Sequence, residues 1–200
     1  MQGNVSHRLQ ENRTAGQAVL PPAAERPGRS VCQDDRRLGL LPLQRRRLPW
    51  PGVKPLGAVQ SRVENFDVYG AVEPTTAESF CLELPYLNAT NCQILLNAFA
   101  PGDQESLPLV LRENGSWHTA KSLVIPHPVV CLFVPPYSPE RNPLERLWQD
   151  VKQQLAWVVA PALHELAHRV AIIITHYSSA AIRSLTAYPS WVHAVKTVCP

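Results

Sequence analysis

The five cysteines (Cys32, Cys81, Cys92, Cys131, Cys199) form no C-x-x-C pair, and their number is odd. Such wide spacing argues against a secreted disulfide framework and for reduced thiols in a cytosolic protein. Cys32, Cys81 and Cys131 sit inside apolar or strand-like runs, where a thiol behaves as a small hydrophobe. A secretory leader is not evident either, because MQGNVSHRLQENRTAGQAVL has no sustained apolar core. The longest apolar passage, LAWVVAPALHELAHRVAIIIT, is broken by His164, Glu165, His168 and Arg169, which argues against a membrane span. No internal repeat is visible. The expectation is a soluble, cytoplasmic chain.

What is present bounds the fold. Two hundred residues with 45% hydrophobic content can bury one sizeable core. The formal charge of +3 and a pI near 8.7 are compatible with a polyanionic partner without requiring one. Residues 1–29 are polar, lack periodicity and end in the breakers PPAAERPGR, so they read as a tail or linker preceding a domain over residues 30–200.

Within that domain SVCQDD is a short strand ending in two carboxylates, followed by a basic loop with Arg36, Arg37, Arg45, Arg46, Arg47 and Lys54. VENFDVYGAVEP and ESFCLELPYL, joined by PTTA, read as a hairpin. NATNCQILLNAFA spaces Cys92, Leu95, Leu96 and Phe99 as one helix face behind Asn and Thr caps. LPLVL and VVCLFV are buried-strand candidates, with HTAKSLVIP between them as a short helix. A long helix follows through about Trp157, and after Pro161 come one or two more. This order predicts an α/β architecture, a mixed sheet flanked by helices.

Carboxylates stand at three element ends: Asp34 and Asp35 after the first strand, Glu113 after LPLVLR, and Glu145 at a helix start. Gathered in space, three such groups repel one another unless a cation is present, and hard oxygen ligands suit Mg²⁺ or Mn²⁺. Two ions about 3.5 to 4 Å apart can activate a water or hydroxyl and stabilise the leaving oxygen of a phosphodiester. Spacing alone equally supports a plain cap: Asn142 as N-cap, Pro143 in the first helical position and Glu145 in the third. The two roles are compatible.

PPYSPERNPLERLWQDVK, from Pro135 to Lys152, resembles the segment around the last catalytic carboxylate of mariner-like insertion-sequence DDE transposases, commonly PPYSPELNPIE. LVLRENGSWHTAKSL is similar to that family's second-Asp segment, in which a strand ends in DN and a His follows. QDDRRLGL resembles its first-Asp segment, DE-x-RFG. The resemblance implies an RNase H-like fold, two Mg²⁺ or Mn²⁺ ions, DNA as partner (transposon ends and target), and admits a homodimer. It assigns metal binding and catalysis to Asp34, Glu113 and Glu145. The charge of Arg36, Arg37, Arg45, Arg46, Arg47 and Lys54 suits salt-sensitive contact with phosphates, with a plain solvated surface as the alternative.

Two departures stand out. Glu113 occupies a position where the family has Asp, and one extra methylene moves a carboxylate by roughly 1.5 Å, against the ~0.5 Å tolerance of a working site. The expectation is weakened metal binding and low strand-cutting activity unless the backbone compensates. The first 29 residues are also too few for the helix-turn-helix modules that grip transposon ends, so the chain reads as a catalytic-domain fragment, with a non-catalytic remnant as an alternative. A competing motif, His164-Glu165-Leu166-Ala167-His168, spells the H-E-x-x-H of zinc peptidases. Catalytic zinc needs a third protein ligand, and no Asp or Glu follows Glu165, leaving His176 and His193 as the downstream candidates.

Overall fold

The computed structural model describes residues 28–41, 51–52, 62–84, 86–99, 107–135, 138, 141–156 and 158–198. The strands are β1 (Gly28–Gly39), β2 (Asn65–Val72), β3 (Ser79–Leu84), β4 (Leu107–Arg112) and β5 (Val130–Phe133). They form one sheet in the order β3-β2-β1-β4-β5. The hairpin pair β2 and β3 is antiparallel, as is β2 with β1, whereas β1, β4 and β5 run parallel. The helices are α1 (Ala89–Phe99), α2 (Leu144–Gln154), α3 (Leu163–Thr175), α4 (Ser179–Thr186) and α5 (Pro189–Val198).

Strand alternation divides the core between the two faces of the sheet. Cys32, Val68 and Val72 face Leu144, Leu147, Trp148 and Val151 of α2, with Leu166 and Val170 of α3 and Ile182 of α4 behind them. On the opposite face Val110 and Cys131 pack with Cys92 and Leu96 of α1. The predicted cap of α1 is present: Asn91 N donates to Asn88 Oδ1 at 2.8 Å and Cys92 N to Asn88 O at 3.0 Å. On α2 the apolar stripe of Leu144, Leu147, Trp148 and Val151 is buried as well. Each such aliphatic or aromatic side chain withdrawn from water contributes about 1.5 to 3 kcal/mol.

Three expectations need correction. β1 does not stop at the acidic pair but runs on to Gly39, because β2 pairs with it throughout, from Cys32↔Val72 to Gly39↔Asn65. The charges ride within that ladder: the Arg37 guanidinium donates from Nε and Nη2 to the buried Asp67 carboxylate at 2.9 and 3.3 Å. HTAKSLVIP is a succession of turns, with Leu123 and Ile125 packed under α1. There the Gln93 side-chain amide takes both backbone groups of Val124, accepting from its N–H at 2.8 Å and donating to its carbonyl at 2.7 Å, so no helix is needed to satisfy them. Finally, α2 ends at Gln154, and Trp157 lies outside the described residues, as do Arg45, Arg46, Arg47, Lys54 and nearly all of residues 1–29.

The position of the site follows from the sheet. Pairing between β1 and β4 ends at Cys32↔Leu111, so the two parallel strands part just before Asp34 and Glu113. Clefts at the carboxyl ends of parallel strands are where ligands enter open α/β sheets.

Candidate metal and nucleic-acid site

Asp34 lies in β1 directly opposite Gly70 of β2. A Cβ on Gly70 would come within 2.5 Å of Trp148 and 3.0 Å of Leu144, so the missing side chain is what lets α2 settle against the strand pair at Asp34. Asp34, Gly70 and α2 therefore share one face of the sheet. Glu145 sits in the first turn of α2, and Glu113 follows immediately on β4.

These carboxylates act on one another. Asp34 is 3% exposed and its Oδ2 is buried without a hydrogen-bond partner. Burial, and then the charges of Glu113, Glu145 and Asp35, push its carboxyl well above the usual Asp range, against a smaller opposing effect of the Asp35 backbone N–H. Glu113 is raised too, by burial first and then by Asp35 and Glu145, with His118 and Arg36 pulling the other way. Arg36 Nη1 lies 3.5 Å from Glu145 Oε1, a guanidinium standing beside the third carboxylate.

A second layer surrounds them. His118 Nδ1 donates to the Glu113 carbonyl at 2.8 Å, while its Nε2 lies 3.0 Å from Asp35 Oδ1, which also faces Trp117 Nε1 at 3.4 Å. Asn142 is fully buried; its Nδ2 donates to Gln33 O at 3.0 Å and its Oδ1 accepts from Leu144 N at 3.2 Å. The helix begins one residue later than expected, with Pro143 in the N-cap position and Glu145 second rather than third; Asn142 still accepts from a first-turn N–H, whereas Glu145 turns to Arg36 instead of reaching back. The N-P-x-E spacing signalled the cap and gave no sign of the tie to β1.

The donors are all hard oxygens, and the orphaned Asp34 oxygen is an atom that a divalent cation would satisfy. In this arrangement the three groups sense each other's charge, yet among the described residues no three His, Cys, Asp or Glu side chains are grouped so as to hold one ion. The same holds for H-E-x-x-H. His164 and His168 are exposed on α3, beside a groove of about 570 Å³ that Arg169, Leu155 and Ile172 also line. His176, one candidate third ligand, is the C-cap of α3, with its Nδ1 2.7 Å from Ile172 O. Of the candidate phosphate contacts, Arg36 and Arg37 both have carboxylate partners inside the molecule.

The sequence profile of DDE superfamily endonucleases matches residues 29–164, which span β1 through the start of α3. The chain belongs to the DDE superfamily endonuclease family. An uncharacterized protein of Sinorhizobium fredii (strain NBRC 101917 / NGR234), y4pE/y4sA, is 31% identical over 86 residues, a match covering 42% of this chain and 64% of that relative, slightly less than two thirds of its length. Among solved structures, the Mos1 transposase paired-end complex with left transposon end superposes with a TM-score of 0.63 at 16% identity, covering 99% of this chain and 70% of the Mos1 chain. A Mos1 mariner paired-end complex with Mn gives a TM-score of 0.64 at 13% identity, covering 96% and 60%. A corresponding complex with Mg gives 0.55 at 15%, again covering 96% and 60%. At such identities the likeness concerns the fold, and the DDE endonuclease domain has the RNase H-like mixed sheet expected for it. None of the helices in the described residues is long and apolar enough to cross a membrane.

Proposed function

We propose that this chain is the catalytic domain of a DDE transposase, cutting DNA strands at transposon ends and joining them to target DNA. The reading is carried by one observation: a buried Asp34 carboxyl with an unpartnered oxygen, raised in pKa by burial first and then by the charges of Glu113 and Glu145 on neighbouring segments. Asp34, Glu113 and Glu145 would hold two Mg²⁺ or Mn²⁺ ions, which when bound supply water activation and neutralise charge on a pentacovalent phosphorus. The remaining work falls to the protein. β1 and α2 hold Asp34 and Glu145 on one face, the sheet excludes water from Asp34, and Arg36 compensates Glu145. Both strand cleavage and transfer are then direct displacements, with no covalent protein intermediate. Relatives in the Mos1 group are described with transposon-end DNA and with Mn or Mg, which supports the choice of substrate and ion. Buried thiols at Cys32 and Cys92 outside any disulfide fit a reducing, cytoplasmic setting.

Glu113 is the expected weak point of this site, because its arm is one methylene longer than that of an Asp in the same place. Plasmid nicking in Mn²⁺ tests the reading. We expect weak nicking by the wild type, at least tenfold faster nicking by Glu113→Asp, and none by Glu113→Asp combined with Asp34→Asn. Absence of nicking in Glu113→Asp would leave a folded, non-catalytic remnant, whereas zinc-dependent proteolysis lost in His164→Ala would favour the peptidase reading.

A further inference from the structure

We propose that Asn142 and His118 are positioning residues that set the spacing of the three carboxylates by clamping their separate elements to the β1 segment around Asp34. The inference rests on the metal-site reading above. Three elements converge here: β1 with Asp34, the end of β4 with Glu113, and α2 with Glu145. Backbone pairing does not fix them to one another at this point, because the β1–β4 ladder ends at Cys32↔Leu111. Beyond that register two buried side chains supply the missing ties.

Asn142 reaches across to β1, donating from Nδ2 to Gln33 O at 3.0 Å, one residue before Asp34. Through Oδ1 it accepts from Leu144 N at 3.2 Å, and its own carbonyl accepts from Glu145 N at 3.1 Å. A single residue thus bonds the strand beside Asp34 and the backbone of Glu145 itself. His118 makes the matching tie on the other side. Its ring spans from Asp35 Oδ1, one residue after Asp34, to the backbone carbonyl of Glu113. Both side chains are almost fully buried, so neither tie is diluted by exchange with water. The two ties grip β1 at Gln33 and Asp35, immediately on either side of Asp34, and each holds one of the other two carboxylate-bearing segments.

Groups that orient ligands without touching the ion typically change metal affinity by about 10- to 100-fold when removed. Two substitutions cut the ties while sparing local structure. Asn142→Ser keeps a hydroxyl to cap α2 but is too short to reach Gln33 O. His118→Asn keeps a donor for the Glu113 carbonyl but is too short for Asp35. Mn²⁺ affinity, read from the electron paramagnetic resonance signal of free Mn²⁺, is measured alongside melting temperature for wild type, both variants and Gln149→Ala, an exposed control on α2. The same set is made in the Glu113→Asp background. We expect each variant to weaken Mn²⁺ binding about tenfold or more in whichever background binds, with Gln149→Ala unchanged. Lower melting temperatures with unaltered Mn²⁺ affinity would make both residues merely structural and overturn the inference alone. No Mn²⁺ binding in wild type or Glu113→Asp would overturn the metal-site reading and this inference with it.

Discussion

Asp34 is the residue on which the energetics of the site concentrate. A carboxyl whose pKa is higher in the folded than in the unfolded state binds its proton more tightly when folded. The stability it contributes is therefore fully present below the unfolded value, near 3.8, and is lost as pH rises through the raised folded value. Glu113 is shifted in the same direction, from an ordinary value of 4.5. In EDTA, the wild type should therefore melt lower at pH 8 than at pH 5. Asp34→Asn removes a buried charge that repels three others, Glu113, Glu145 and Asp35. It should raise the pH 8 melting temperature by about 2 to 4 °C, the equivalent of roughly 1 kcal/mol in a domain of this size, and flatten the dependence across that window. Scanning calorimetry at the two pH values checks both, and an unchanged slope in Asp34→Asn would mean that Asp34 is not strained by its neighbours. Saturating Mn²⁺ should stabilise the wild type and leave Asp34→Asn nearly unmoved, because an ion that binds only the folded form adds stability that grows with the logarithm of its concentration relative to its dissociation constant.

At the scale of elements, the decisive contact is α2 on β2 at Gly70. An added methyl there meets Trp148 at 2.5 Å, closer than packed carbon atoms approach, so Gly70→Ala must push α2 away from the strand opposite Asp34. Overpacking of this kind typically costs about 1 to 3 kcal/mol. We expect a lower melting temperature and weaker Mn²⁺ binding, both partly restored by Trp148→Phe, whose smaller ring leaves room for the methyl. Full additivity of the two substitutions in urea denaturation would show that the contact is not shared. Much at this scale was legible in the sequence. The hairpin, α1 with its Asn88 cap, β4, β5 and the apolar stripe of α2 all carry local signals of periodicity and turn chemistry. HTAKSLVIP misled because its structure is imposed from outside, by Gln93 bonding to Val124 and by burial of Leu123 and Ile125 under α1. The length of β1 was also hidden, since a charged stretch reads as loop until β2 supplies Asp67 for Arg37.

For the whole molecule, the candidate site was legible as three carboxylates and not as an arrangement. Nothing local in ENGSWH or NPLER indicates that His118 meets Asp35, that Asn142 meets Gln33, or that Arg36 stands against Glu145, because those partners come from segments about 80 to 110 residues away. The same long-range pairing changes the meaning of the basic residues. A net charge of +3 invites a phosphate-binding surface, yet Arg36 and Arg37 are engaged by Glu145 and Asp67. Arg29 is likewise engaged by Glu73 and Glu78. While so paired, these three arginines do not release counterions from DNA. A contact with about three phosphates lowers the binding constant only about 40-fold between 50 and 200 mM salt, against roughly 10³ or more for six to ten phosphates. Fluorescence anisotropy with a labelled duplex should give that shallow dependence. Arg37→Ala should leave the salt slope unchanged while lowering the melting temperature, because it strands the buried Asp67 carboxylate. A slope that falls by about one unit in Arg37→Ala, with stability intact, would instead place that guanidinium on a phosphate and show that its pairing with Asp67 yields when DNA binds.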